Sequence, residues 1–171
     1  IDGVLFSEKG EKLICFPASK AANGKYQVPD SVKEIGEKAF YGSKVSEVTF
    51  TGKSSLERIG VSAFENSMIT KISIPPVKVE ADNTSTFKIE ASTFKNAKKL
   101  TAVDLPANLT YIGAEAFSGC VALKEIKVPD TVAEIAYAAF KNTGLTSANV
   151  GDGVSKIASE AFADNAKLTD L

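Results

Sequence analysis

Hydrophobic positions recur along this chain in one repeating pattern. An aliphatic residue is followed at the third position by isoleucine and four positions later by alanine and phenylalanine. After a short turn comes a second apolar segment of the form Leu-x-x-Ile-x-Val. Six copies align, with phenylalanine spacings of 24, 30, 23, 23 and 22 residues, which predicts a solenoid of stacked units. The repeated phenylalanines are Phe40, Phe64, Phe94, Phe117, Phe140 and Phe162.

Each copy contains one segment with strand periodicity. In the fourth copy, Ile126 and Val128 alternate with Glu125 and Lys127, so the two apolar side chains point to one face and the two charged ones to the other. We expect one such strand per unit, paired in parallel with the strands of neighbouring units. The stretch from Gly113 to Phe117 predicts about one helical turn, with its phenylalanine in a stacked core column rather than in a cofactor site.

The regions outside the regular repeats suggest a hairpin, a loop and an open end. Two apolar segments, 4–6 and 13–16, flank the turn 8–11 and predict a hairpin-bearing coil over residues 1–31, followed by about six repeats over 32–171 in one solenoid domain. The extra residues at 76–87 predict a mobile surface loop. Because the pattern stops within a strand, at Leu168 and Leu171, we expect the natural protein to continue and this C-terminal end to self-associate.

Two segments resemble a known family, the BspA-like (treponemal-type) leucine-rich repeats. They are AFSGCVALKEIKVPDTVAEIAYAAF, from Ala116 to Phe140, and the N-terminal stretch from Asp2 to Gly36. The resemblance implies an α/β repeat solenoid, a right-handed leucine-rich-repeat coil with a parallel sheet on one face and short helical turns on the other. It also implies a secreted or cell-surface protein with a role in adhesion or host-protein binding. No catalytic residue is carried over from the family.

Composition excludes several classes of function. Twenty basic residues against twenty-one acidic ones leave no charge excess for nucleic acid, and no apolar stretch is long enough for membrane insertion. The chain contains no histidine, which removes Ser-His-Asp and Cys-His catalysis and histidine-ligated metals. We therefore predict no enzyme activity, no cofactor and no metal. Cys15 and Cys120 are far apart in sequence and are predicted to be unbridged.

Three short motifs have a chemical interpretation and a simpler one. The pair Glu80 and Asp82 could act as an acid/base pair but lies in the expected loop without a recognisable pocket. The sequence from Gly151 to Gly153 lacks the further residues of a phosphate or calcium loop and is predicted to be a turn. The spacings at Asn83 and Asn108 permit N-glycosylation only in a eukaryotic source.

The best candidate surface consists of the outward positions of the predicted strands. These ten residues, the candidate face, have mixed charge and include no aromatic residue or arginine, so a solvated sheet and a protein-binding surface remain equal interpretations. We expect a protein ligand; the alternatives are a spacer without a ligand and an accessory domain of a surface enzyme. The candidate face comprises Glu47, Thr49, Lys71, Ser73, Ala102, Asp104, Glu125, Lys127, Ser147 and Asn149.

Overall fold

The structure is a computed structural model that describes residues 3–20, 24–76 and 86–171. It is a β-solenoid of about six coils, built in its described part from 14 short strands and no helix. The strands are β1 (Leu5–Phe6), β2 (Lys12–Cys15), β3 (Lys25–Gln27), β4 (Glu34–Ile35), β5 (Glu47–Thr49), β6 (Arg58–Ile59), β7 (Lys71–Ser73), β8 (Phe87–Ile89), β9 (Ala102–Asp104), β10 (Leu109–Ile112), β11 (Glu125–Val128), β12 (Glu134–Ile135), β13 (Ser147–Val150) and β14 (Lys156–Ile157).

Each coil contributes strands to two walls. The front sheet contains the predicted strands and has two parts, β3-β5-β7-β9 and β11-β13. The back sheet, of which the sequence predicted only the N-terminal hairpin, has the order β1-β2-β4-β6-β8-β10-β12-β14. Pairing is parallel except between β1 and β2, which form the expected N-terminal hairpin. In the paired strands, residues at the same repeat position lie opposite each other, as Val48 and Ile72 do; the pair β8–β10 contains one register shift, between Leu109 and Tyr111.

The phenylalanine-bearing turns close the coils between the walls. The predicted helical turns, and with them the α/β class, are wrong because the residue directly before each Ala-Phe or Thr-Phe pair has φ between 52° and 58°, outside the right-handed helical region. Backbone N–H groups of the turn instead bond to the adjacent coil; for example, Phe40 N–H donates to Ala63 O at 2.7 Å. The residues with this left-handed conformation are Lys38, Ser62, Ser92, Glu115, Ala138 and Glu160.

The left-handed residues offer a test of this turn geometry. Ala138 is buried at φ 52°, a conformation that costs a residue with a side chain about 1–2 kcal/mol. We expect Ala138→Gly to raise the free energy of unfolding by about 0.5 kcal/mol, after the larger unfolded-state entropy of glycine is included. The matched variant is Ala139→Gly, at the next buried position, which should lower it by about 0.5–1 kcal/mol. Urea denaturation measures both changes in the free energy of unfolding. If the two changes have the same sign, Ala138 does not adopt the left-handed conformation of this turn.

The predicted phenylalanine column is confirmed. Successive rings from Phe40 to Phe162 stack with centroids 4.8–5.3 Å apart and interplanar angles of 13° or less. Phe16 adds a seventh ring at 5.0 Å from Phe40, and Tyr26 packs edge-on against Phe16. The rings between the two ends of the stack are fully buried, so the column forms the centre of the hydrophobic core.

Both cysteines are free thiols, as expected. Cys15 is exposed on β2, whereas Cys120 is buried and donates its S–H to the Phe94 carbonyl at 3.1 Å. Burial raises the pKa of the Cys120 thiol to about 12, so it remains a neutral core residue at physiological pH.

The expected loop is described only at its margins. Phe87, placed in the loop by the sequence, begins β8 and is fully buried, which corrects the C-terminal boundary of the insertion. Residues 77–85, including Glu80, Asp82 and Asn83, lie outside the described residues, and the predicted mobility of the loop stays a prediction.

Apolar positions of the last coil are exposed. Ile157, on the edge strand β14, is 47% accessible, whereas the isoleucine at the same position of the five preceding coils is fully buried. Leu171 is 65% accessible. The five buried equivalents are Ile35, Ile59, Ile89, Ile112 and Ile135.

We expect the purified 171-residue chain to associate through this end, since an apolar edge strand pairs readily with another chain. Static light scattering across a concentration series should show a rising apparent mass. Ile157→Lys should suppress that rise, and Tyr41→Lys, at an exposed residue of an N-terminal coil, should leave it unchanged. A mass that stays monomeric at all concentrations would contradict the prediction.

Candidate functional site

The structure brings all ten residues of the candidate face together. They occupy five strands of the front sheet, β5, β7, β9, β11 and β13, and every one is exposed or half-exposed. Lys25 and Gln27 of β3 extend the same face by one coil. The repeat pattern does not indicate these two residues because Tyr26 stands where the other coils have an aliphatic or alanine residue, and only the flanking polar positions could have indicated the strand.

The Glu47 carboxylate in the N-terminal half of the face is paired with two lysines. Glu47 lies between Lys25 and Lys71, with N–O distances of 3.0 and 3.1 Å. Hydrogen bonds from Lys25 and then Lys71 hold the pKa of the Glu47 carboxyl below its usual value. This carboxylate is therefore already satisfied, and the three side chains together carry one excess positive charge.

Charged groups in the C-terminal half have no such partners. Ala102 occupies the position after Lys71 in the same row and ends the series of ion pairs. Among the described residues, none pairs with Glu125, Asp104 or Lys127. Asp104 and Lys127 are at equivalent positions of β9 and β11, yet they form no ion pair. Backbone pairing between these two strands is also absent.

A ladder of hydroxyl groups marks the start of the front strands. Thr101 N–H and Thr101 Oγ1 both donate to the Thr70 carbonyl, at 2.8 and 3.0 Å. Thr70 makes the same two bonds to the Ser46 carbonyl. In the last two coils, the N–H and Oγ1 groups of Thr146 both donate to the Lys124 carbonyl, and those of Thr169 both donate to the Thr146 carbonyl. Each step thus adds a side-chain hydrogen bond to the backbone ladder.

This ladder is interrupted at Lys124. A lysine has no hydroxyl to donate, and within the described residues neither the backbone nor the side chain of Lys124 bonds to the Thr101 carbonyl. The front sheet divides at the same place, between β9 and β11. Val103 of β9 is half-buried, whereas Val48 and Ile126 at the same position are almost fully buried. The two strands are therefore separated at the front of the solenoid while the back sheet remains continuous.

The interruption coincides with grooves on the candidate face. A groove of about 620 Å³ extends over β9, β11 and β13, and a second of about 450 Å³ follows the ends of β9 and β11 towards Pro129. A third, of about 430 Å³, lies over β5, β7 and β9. Asp104 lines all three grooves, so it occupies the centre of the face.

The other sequence motifs have structural roles where they are described. The 151–153 segment forms a turn in which Asp152 N–H donates to Asp130 Oδ1 at 3.3 Å. In the described ranges, no three acidic, cysteine or histidine side chains are grouped as a metal site would require. No helix with the length and apolar character of a membrane span occurs in those ranges either.

A family model for the BspA type leucine-rich repeat region matches six copies over residues 15–90 and 87–171. The chain belongs to the BspA-type leucine-rich repeat family. The match covers the front wall, the phenylalanine column and the back wall from β4 onwards of this BspA-type solenoid. A sequence comparison with curated proteins found no match.

Solved structures share the fold of this BspA-type chain. A leucine-rich repeat protein from Bacteroides ovatus is 26% identical with a TM-score of 0.70, covering 94% of this chain and 45% of its own. A leucine rich cell surface protein from Faecalibacterium prausnitzii is 27% identical with a TM-score of 0.65, covering 85% and 37%. The pneumococcal vaccine antigen PcpA, at 24% identity and a TM-score of 0.72, covers 99% and 41%, and shows the fold alone. The chain thus spans less than half the length of each of these structures.

Proposed function

We propose that this BspA-type solenoid is a non-catalytic protein-binding region of a secreted or cell-surface protein, and that the candidate face contacts the partner. The observation that supports this most directly is the coincidence of grooves, exposed polar side chains and a divided sheet on that face. The surface location is supported by the similarity to the Faecalibacterium cell surface protein. A host or partner protein fits better than a sugar, because none of the ten candidate-face residues is aromatic and Phe50, which lines the third groove, is half-buried against the core.

A spacer without a ligand is the second candidate. It is favoured by the N-terminal half of the face, where Lys25, Glu47 and Lys71 satisfy one another. Self-association through the exposed end at Ile157 would suit such an assembly role. If the solenoid is an accessory domain of a surface enzyme, the candidate face would still be the surface that binds a partner.

Selection of displayed random peptides against the purified chain tests the protein-binding proposal. Cys15→Ser should be used as background to remove the exposed thiol. Ala102 lines two of the grooves, so Ala102→Trp places a bulky ring in their shared lining; selected peptides should lose binding to this variant and keep binding to Lys88→Trp on the back sheet. If no selected peptide distinguishes the two variants in this direction, the candidate face is not a binding surface and the spacer proposal is favoured.

A further inference from the structure

We propose that the gap between β9 and β11 binds an extended polypeptide segment that carries basic side chains. This inference rests on the proposed function, because it assigns a partner chemistry to the same face. The proposal is based on the interrupted hydrogen-bond ladder at Lys124 and on the unpaired charges and grooves around Lys124.

The backbone at the gap suits a peptide. Parallel pairing joins β3 through β9 and then β11 to β13, whereas β9 and β11 face each other without ladder bonds. The Thr101 carbonyl accepts no hydrogen bond from the described residues, although the equivalent Thr70 carbonyl accepts three, from two backbone N–H groups and a hydroxyl. β9 and β11 still approach within 8 Å, less than the roughly 9.6 Å that a strand inserted between them would need, so the segment would lie over the groove and donate a hydrogen bond to this free carbonyl.

The charges at the gap favour a basic segment. Asp104, Glu125 and Asp170 line the larger groove, and Lys127 is the only cationic side chain among its described lining residues. Lys124 does not neutralise them, because its Nζ lies beside Gly144 of the next coil, away from the groove lining. The excess of carboxylates therefore attracts arginine or lysine and repels acidic segments.

The floor of the gap suits long basic side chains. Val103 and Leu105 are half-buried and line the second groove next to Asp104. Arginine and lysine have aliphatic stems that pack on apolar surface while their charged ends remain at the rim. A stem lying on Val103 and Leu105 would bring its charged end to Asp104, which lines both grooves.

Fluorescence anisotropy with defined peptides tests this inference. The probe is a labelled decapeptide in which valine alternates with arginine; matched peptides carry glutamine or glutamate in place of arginine. We expect the arginine peptide to bind at least about tenfold more tightly than the glutamine peptide. Its binding should weaken at about 0.5 M salt. Asp104→Asn with Glu125→Gln should remove that preference. The control Glu134→Gln removes a carboxylate on the back sheet that is already paired with Lys156 and should leave it unchanged.

A second variant tests the role of the gap separately from its charge. Lys124→Thr introduces the hydroxyl found in the neighbouring coils and should close β9 onto β11. The affinity for the arginine peptide should then fall at least about fivefold. Because this change also removes a positive charge from the surface, simple electrostatics would strengthen binding instead. Lys44→Thr, an equal charge change at an exposed residue on a turn of another coil, is the control. Unchanged binding to Lys124→Thr would overturn the role of the gap.

The outcomes distinguish this inference from the proposed function. If the three peptides bind with equal affinity, or the arginine peptide does not bind at all, the basic segment is excluded. The random-peptide selection then decides independently whether the candidate face binds other sequences. If peptides selected without basic residues still depend on Ala102, the proposed function stands and this inference fails.

Discussion

Phe117→Ala should lower the free energy of unfolding by about 3–5 kcal/mol. Phe117 is fully buried, and its ring stacks between Phe94 and Phe140 at 5.2 and 5.1 Å. Truncation leaves a cavity that the adjacent coils cannot fill, because their spacing is set by backbone hydrogen bonds such as Phe117 N–H to Ala139 O at 2.7 Å. Urea denaturation monitored by circular dichroism measures the change.

The control for Phe117 is Tyr41→Ala. Tyr41 directly follows a column phenylalanine, but its ring is 46% accessible, so its removal should change stability by no more than about 0.5 kcal/mol. Equal stability losses for the two variants, or an unchanged unfolding midpoint for Phe117→Ala, would show that the column is not the core of the solenoid.

Gly153→Ala should lower the free energy of unfolding by about 3 kcal/mol or more. A β-carbon at this position would lie 1.7 Å from the Asp130 carbonyl oxygen, a backbone atom of the preceding coil that cannot rotate away. Relief of the clash requires the two coils to separate at a point where Asp152 N–H also bonds to Asp130. Thermal unfolding should show a fall in the melting temperature of several degrees.

Gly52→Ala provides the matched comparison. Gly52 lies in the corresponding connection of an earlier coil, has no left-handed φ and would place its β-carbon in open space. This substitution should be neutral or slightly stabilising, because alanine loses less backbone entropy on folding. A destabilisation of Gly153→Ala no larger than that of Gly52→Ala would mean that the connection has freedom to move.

The repeat period and the strand alternation were sufficient to predict the front sheet and the phenylalanine column. Both depend on apolar side chains that must be buried, and burial leaves a periodic signal in the sequence. The turn conformation left a weaker signal at the second residue after each phenylalanine. This position is occupied by Gly42, Asn66, Asn96, Gly119, Asn142 and Asp164, residue types that tolerate positive φ.

The features that could not be predicted are set by contacts between coils. Lys38 and Glu115 adopt left-handed φ although neither residue type favours it, because inter-coil hydrogen bonds hold the turn. The back sheet has strands of only two residues in several coils, too short for an alternation to be recognised. The gap at Lys124 becomes visible only when the hydroxyl residues of other coils are aligned with it.

The stacked coils also determine how the protein responds to mechanical force. Each coil is joined to the next by the back sheet, by bonds between phenylalanine turns and, except at the gap, by the front sheet. A load that pulls the chain ends apart acts on the terminal coil first and separates its bonds one after another. Each released coil of some 22 residues adds roughly 75 Å of extended chain. Tethered to a surface, such a solenoid would lengthen in discrete steps under shear, while its remaining coils kept their stacking intact.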